Sequence, residues 1–254
     1  VSFVNLLQKR GIIPGIKVDK GVTVIPGLES RGETTTAGMD GLEMRCADFY
    51  EKGARFAKWR GVLTVGPDGT GPSNLCLAEN AEALARYAAI CQKTGLVPIV
   101  EPEILTDGDH DVNVSQRVTE RVLQCVFSKL HEHGVMLEGI ILKPNMVTSG
   151  KDAAEQASVE VVAQKTVECL RRVVPPAVPG ILFLSGGQSE ADATAHLNAM
   201  NKKENPWTLS FSYGRALQAS VLAAWRGDPA NKEAAQKALL ERAEANGKAS
   251  MGEL

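Results

Sequence analysis

Short apolar runs alternate with longer amphipathic segments along the 254 residues of this chain, and this alternation constrains its fold more than any other feature. We interpret each apolar run as a buried strand, and each segment with apolar residues at helical spacing as a helix. Strands that alternate with helices predict parallel βαβ units, hence an α/β fold. The expected strands cover residues 12–19, 56–60, 96–101, 137–143, 180–185 and 208–213, and the expected helices 80–93, 112–133, 153–173, 189–201, 215–225 and 232–246.

Two architectures use such units, an open doubly wound sheet and a closed (β/α)₈ barrel, the TIM barrel. The dinucleotide fingerprint GxGxxG and the Walker A motif are absent, and the glycines of residues 66–72 are interrupted by Pro67 and Pro72. The barrel is favoured because chemically reactive residues fall at the ends of successive strands, where barrel active sites lie. Only six strands are evident, so either two were missed or the first part of the barrel is not in this chain. We expect a single domain, without an antiparallel section.

Composition and charge exclude several classes of function. A net charge of −2 gives no basic field for nucleic acid or an anionic membrane, and no apolar stretch is long enough to span a bilayer. The five cysteines show no CxxC pairing, which indicates reduced thiols in a reducing compartment such as the cytoplasm, although a plastid or another organelle stays open. The four histidines form no metal-ligand pattern. We therefore expect no metal and no cofactor.

Lys143 is the residue that points most directly to a chemistry. It ends the apolar run 137–143 and is followed by Pro144, so a strand delivers an amine to the edge of the core. Lysine is rarely buried without a partner, and a desolvated amine is a nucleophile that condenses with a carbonyl to form a Schiff base. The alternative is an ordinary ion pair at a strand end.

Other strand ends carry a matching set of charged residues. Residues two apart on a strand face the same way, so each strand contributes a pair of side chains to one face. Lysines and glutamates that meet at one barrel mouth form a mutually perturbing acid–base set. The pairs are Lys17 with Asp19, Lys58 with Arg60, and Glu101 with Glu103.

The last two strands end in residues suited to phosphate. Ser185, Gly186 and Gly187 offer a hydroxyl and exposed N–H groups before a helix, where barrels commonly bind phosphate. Such glycines usually just turn the chain, but Gly214 and Arg215 add an N–H group and a guanidinium beside them. We therefore expect a phosphate site between these two strand ends.

Taken together, the sequence segments at these strand ends resemble the class I fructose-bisphosphate aldolase family, the Schiff-base aldolases of glycolysis. The resemblance covers essentially the whole chain in order, and the set is specific. It implies a (β/α)₈ barrel, usually a homotetramer, that reversibly cleaves fructose 1,6-bisphosphate into dihydroxyacetone phosphate and glyceraldehyde 3-phosphate. The matching segments are residues 15–21, 32–36, 56–60, 97–105, 142–147, 183–189 and 211–220.

The resemblance also implies a role for each site residue. Lys143 matches the Schiff-base lysine, and Glu101, with Glu103 close behind it, matches the glutamate that moves protons during carbinolamine dehydration. Lys58 matches a second lysine that stabilises charge and helps to keep Lys143 uncharged. The remaining residues match phosphate ligands: Ser185, Gly186, Gly187, Ser212, Gly214 and Arg215 at C1 of the ketose, and Lys17 and Arg60 at C6.

Relative to the family, the chain departs at both ends. The resemblance implies that residues 1–254 carry the last six strand–helix units of one TIM-barrel domain, without its first two strands and its C-terminal tail. Two alternatives stay open: an inactive aldolase-like scaffold that binds partners such as cytoskeletal filaments, and a nicotinamide oxidoreductase. The intact lysine and glutamate set argues against the first, and the missing glycine fingerprint against the second.

Overall fold

The computed structural model describes residues 2–66 and 69–254, and Pro67, which interrupts the glycine-rich stretch, lies outside them. Strands and helices alternate over most of this length. The helices are α1 (Phe3–Lys9), α2 (Leu42–Glu51), α3 (Asn74–Lys93), α4 (Val112–Glu132), α5 (Val159–Val173), α6 (Glu190–Asn201), α7 (Arg215–Trp225) and α8 (Lys232–Ala249). The strands are β1 (Gly15–Lys17), β2 (Val22–Val24), β3 (Thr34–Thr36), β4 (Phe56–Leu63), β5 (Val97–Ile104), β6 (Ile141–Leu142), β7 (Gly180–Phe183) and β8 (Thr208–Phe211).

Six strands form one parallel sheet in the order β1-β4-β5-β6-β7-β8, which confirms the α/β class. The order follows the chain without reversal, unlike a doubly wound sheet, whose order reverses at a switch point. Among the described residues no pairing joins β1 to β8, so the sheet is open, and the expected closed barrel is not present in this part of the chain. All carboxyl ends of the six strands therefore lie along one edge.

Several expected boundaries were wrong. The run 137–143 forms a strand only at Ile141–Leu142, because residues 137–139 turn into a 3₁₀ helix and Pro144 lacks an N–H group. The helix expected from residue 153 begins at Val159, where the Ser158 hydroxyl accepts a hydrogen bond from Val161 N. The strand expected at 12–19 is limited to Gly15–Lys17.

The hairpin of β2 and β3 was not expected, and it is antiparallel. Its threonines attach it to β4: Thr36 Oγ1 donates to Arg60 O over 2.7 Å, and Thr34 Oγ1 donates to Val62 O over 3.3 Å. The hairpin is therefore fixed to the second half of β4, which begins at Arg60.

The core lies between the sheet and the helices that cover it. Trp59 is fully buried and stacks on Tyr87 of α3, with ring centroids 5.6 Å apart. Because Trp59 points towards the helices, its neighbours Lys58 and Arg60 point to the opposite face. All five cysteines are free, and four of them are buried. Within residues 2–66 and 69–254, no helix is long and apolar enough to cross a membrane.

Candidate active site

Two lysines share one buried carboxylate at the carboxyl edge of the sheet. Glu101 on β5 is 3% exposed, and its Oε2 lies 2.8 Å from Lys58 Nζ on β4. Its Oε1 lies 3.1 Å from Lys143 Nζ, which follows β6. The Lys58 contact lacks the direction of a hydrogen bond, so it is an ion pair only. Both amines are largely enclosed, with the Lys143 side chain 11% exposed.

A second ion pair lies one step further along the same face. The Arg60 Nε–H group donates to Glu103 Oε2, and the Arg60 N–H group donates to Asp19 Oδ2 over 3.4 Å. Burial acts to lower the pKa of Arg60, but the hydrogen bond and charge of Glu103, together with Glu101 and Asp19, outweigh it and raise that pKa. Arg60 is therefore held charged beside the lysine cluster.

Lys17 joins this second pair through Asp19. Its ammonium donates to Asp19 Oδ1 over 2.5 Å and to Asp19 O over 3.1 Å, while half of its side chain stays exposed. Lys17 is the last residue of β1, and Asp19, two positions beyond the strand, is in direct contact with it. An exposed ammonium next to Arg60 provides positive charge at the rim of the site.

The loop after β6 is fixed by an asparagine that sequence reasoning missed. Asn145 is buried; its Oδ1 accepts from Ile104 N over 3.1 Å, and its Nδ2 donates to Met146 O over 3.1 Å. The Lys143 N–H group donates to Val100 O over 2.8 Å. Asn145 follows Lys143 by two positions, so these bonds fix the backbone that carries the amine. The sequence offered one signal for this role: Asn145 is a polar residue two positions after the candidate catalytic lysine.

The turn after β7 requires glycine at Gly187. Its φ is +78°, and a β-carbon there would lie 2.1 Å from Thr106 Oγ1. A β-carbon at Gly186 would lie 3.0 Å from Glu103 Oε1 and 3.5 Å from an Arg215 guanidinium nitrogen. The turn therefore passes directly beside both groups, and its backbone is the only part that fits.

The end of β8 completes this side of the site. Ser185 Oγ accepts from Ala216 N, in the first turn of α7, over 3.4 Å. Gly214 precedes α7 and has no side chain to cap it; its carbonyl accepts from Leu217 N over 3.1 Å, and the positive end of the helix dipole lies beside Arg215. Ser212 N donates to Phe183 O over 2.9 Å, which holds it at the same edge.

A further contact was not expected from the sequence. Lys151, in the loop before α5, pairs with Asp107 after β5, and its backbone N–H group donates to Thr106 O over 2.8 Å. The hydrogen bond from Lys151 lowers the pKa of Asp107. The paired residues are 44 positions apart in the sequence, so no local sequence pattern predicts the contact.

In residues 2–66 and 69–254, no three His, Cys, Asp or Glu side chains are grouped closely enough to hold a metal ion.

The fold and site together define an α/β protein of the enzyme class whose carboxyl edge carries a buried lysine–glutamate–lysine cluster beside a glycine turn and an arginine. The family model described as "Fructose-bisphosphate aldolase class-I" matches residues 1–254. The chain belongs to the class I fructose-bisphosphate aldolase family.

Individual relatives agree with this assignment. The chain is 59% identical over 253 residues to fructose-bisphosphate aldolase 1 of Toxoplasma gondii, an alignment that covers 99% of this chain and 69% of the relative. It is 58% identical over 252 residues to the cytosolic fructose-bisphosphate aldolase 5 of Arabidopsis thaliana, covering 98% and 69%.

A solved structure agrees as well. Fructose-bisphosphate aldolase from Plasmodium falciparum, solved in complex with TRAP and a small-molecule inhibitor, superimposes with a TM-score of 0.95 at 54% identity. The match covers 98% of this chain and 72% of that one. The chain is accordingly an aldolase, an aldehyde-lyase of glycolysis.

Proposed function

We propose that the chain cleaves fructose 1,6-bisphosphate reversibly into dihydroxyacetone phosphate and glyceraldehyde 3-phosphate through a Schiff base on Lys143. The observation that carries this proposal is the pair of amines on Glu101, at 2.8 and 3.1 Å. A carboxylate in contact with both nitrogens can accept a proton from one amine and return it to a leaving hydroxyl. An ordinary structural ion pair needs only one lysine.

In the proposed sequence, the neutral Lys143 amine attacks C2 of the ketose and forms a carbinolamine. Glu101 supplies the proton with which the C2 hydroxyl leaves as water, and an iminium remains. The C3–C4 bond then breaks, its electron pair moves into the iminium to give an enamine, and the C4 hydroxyl gives its proton to the Glu101 carboxylate as the aldehyde leaves. Protonation of the enamine and hydrolysis release dihydroxyacetone phosphate and restore Lys143.

The remaining residues bind the two phosphates of the substrate and stabilise charge. The positive charge of Lys58 disfavours a second one on Lys143 and compensates negative charge as it develops. Glu103 lies two residues after Glu101 on β5, and its pairing with Arg60 holds that guanidinium beside the Glu101 cluster. The C1 phosphate is bound by Ser185, Gly186, Gly187, Ser212, Gly214 and Arg215, and the C6 phosphate by Lys17 and Arg60.

We also propose that the six parallel units are the last six of a (β/α)₈ barrel. The unreversed strand order supports this, because a sheet wound in one direction curls towards closure. Homotetramer formation is carried over from the resemblance. The names of the Arabidopsis relative and of the cytoplasmic spinach isozyme support a cytosolic location. The TRAP complex of the Plasmodium enzyme supports a protein partner, of which a cytoskeletal filament is one candidate.

Borohydride trapping tests the Schiff base directly. We expect protein incubated with dihydroxyacetone phosphate and borohydride to gain a stable adduct that peptide mapping places on Lys143. Lys143→Met and Lys143→Arg should form none, since arginine stays protonated and cannot condense. Lys93→Met, at the exposed end of α3, is the matched control and should be trapped like the wild type. An adduct on another lysine would overturn the assignment of Lys143.

A further inference from the structure

His196 makes a contact that the proposed chemistry does not use. It lies in the second turn of α6, is 6% exposed, and its Nδ1 lies 2.7 Å from Oε1 of Gln188. Because an amide oxygen only accepts, Nδ1 carries the hydrogen and donates it. Burial lowers the pKa of His196, so the ring stays neutral at physiological pH, although Asp192 and Glu160 act in the opposite direction.

Gln188 is the last residue of the turn that carries the proposed C1-phosphate ligands. Its N–H group donates to Ser185 O over 3.2 Å and closes the turn. The next residue, Ser189, caps α6 by accepting from Asp192 N over 3.0 Å. The side chain of Gln188 thus ties the turn to the helix that follows it.

A cavity of about 270 Å³ lies on one side of this turn. It is lined by Gly187, Gln188, Asp192 and His196, and across from them by residues of the loop 148–158. Side-chain packing does not support the turn where the cavity separates it from that loop. A directed hydrogen bond at this point therefore has more influence on the position of the turn than it would in a close-packed core.

We propose that His196 is a positioning residue for the binding of dihydroxyacetone phosphate, acting through Gln188 on the turn of Ser185, Gly186 and Gly187. It touches no substrate atom. Its effect is specific to the phosphate that this turn binds. The proposal rests on the proposed function of this site.

The experiment compares three variants of the full-length enzyme in the condensation direction. His196→Leu removes the donor, and we expect the KM for dihydroxyacetone phosphate to rise about fivefold, as for one lost hydrogen bond. The KM for glyceraldehyde 3-phosphate, whose phosphate binds elsewhere, should change by less than about twofold. His196→Asn should recover the wild-type value, since the asparagine Nδ2 lies where Nδ1 lies and donates likewise. His131→Leu, on the exposed face of α4, is the control for histidine loss.

Gln188→Ala provides an independent route if His196→Leu folds poorly. It should raise the same KM to a similar extent, and the double variant should be no worse than either single one. The proposal is overturned if the KM for dihydroxyacetone phosphate is unchanged in His196→Leu and Gln188→Ala, if both KM values rise together, or if His196→Asn behaves like His196→Leu. Borohydride trapping of the wild type separates the two hypotheses, because an absent Lys143 adduct would refute the proposed function itself.

Discussion

Replacing Gly187 with alanine is expected to destabilise the protein and disrupt the phosphate turn. A non-glycine residue at φ +78° costs about 1–2 kcal/mol. The new β-carbon would lie 2.1 Å from Thr106 Oγ1, about 1.3 Å short of the 3.4 Å at which ordinary contact begins. Relieving such an overlap costs about 1–3 kcal/mol, so the total loss is about 2–5 kcal/mol.

Urea unfolding followed by tryptophan fluorescence measures this loss. Gly247→Ala is the matched control of opposite sign, because Gly247 lies inside α8 with no atom near its would-be β-carbon, and alanine there stabilises by about 0.5–1 kcal/mol. Adding Thr106→Gly to Gly187→Ala should recover the part of the lost stability that comes from the steric overlap. The part that comes from the backbone conformation should remain. A Gly187→Ala protein that unfolds at the wild-type urea concentration would refute the reasoning.

Three further outcomes are expected. Glu101→Gln should lower turnover by about 10²–10⁴-fold, measured by steady-state kinetics, because the amide cannot transfer the proton; a rate near the wild type would exclude Glu101 as the proton carrier. Asn145→Ala leaves the buried Ile104 N–H group without its acceptor and should cost about 1–3 kcal/mol in urea unfolding; an unchanged midpoint would contradict this. Burial lowers the pKa values of His110 and His196 in the folded protein below 6.5. As the pH falls, the unfolded chain therefore binds protons at these histidines before the folded chain does, and the free energy of unfolding should drop on acidification below pH 6.5. Urea midpoints at a series of pH values check this, and a drop of the same size in His196→Asn would contradict the contribution of that ring.

The charged pairs show how far the sequence could lead. Alternation along a strand predicts that Lys58 and Arg60 share a face, and likewise Glu101 and Glu103. Which carboxylate meets which cation depends on register: Arg60 lies opposite Glu101, so each cation reaches diagonally to the carboxylate two residues further on. Register is a property of two strands together and was not readable from either one.

The features that the sequence did not predict depend on contacts between distant loops. The β2–β3 hairpin is only three residues deep on each side, and its threonines bond to the backbone of β4. Asn145 and Lys151 likewise owe their positions to partners more than 40 residues away. Apolar spacing gives no information about such polar contacts, whereas it predicted the long helices α4 and α6 closely.

The sharing of Glu101 by two amines has a consequence for the charge of the site. With both amines protonated and the carboxylate ionised, the three groups carry a net charge of +1, since the Arg60–Glu103 pair is neutral by itself. Transfer of one proton from Lys143 to Glu101 leaves this charge unchanged, and it is again +1 once Glu101 has protonated the leaving hydroxyl and the iminium has formed. The covalent intermediate therefore restores the charge of the resting site, and the surrounding dipoles need no reorientation to accept it.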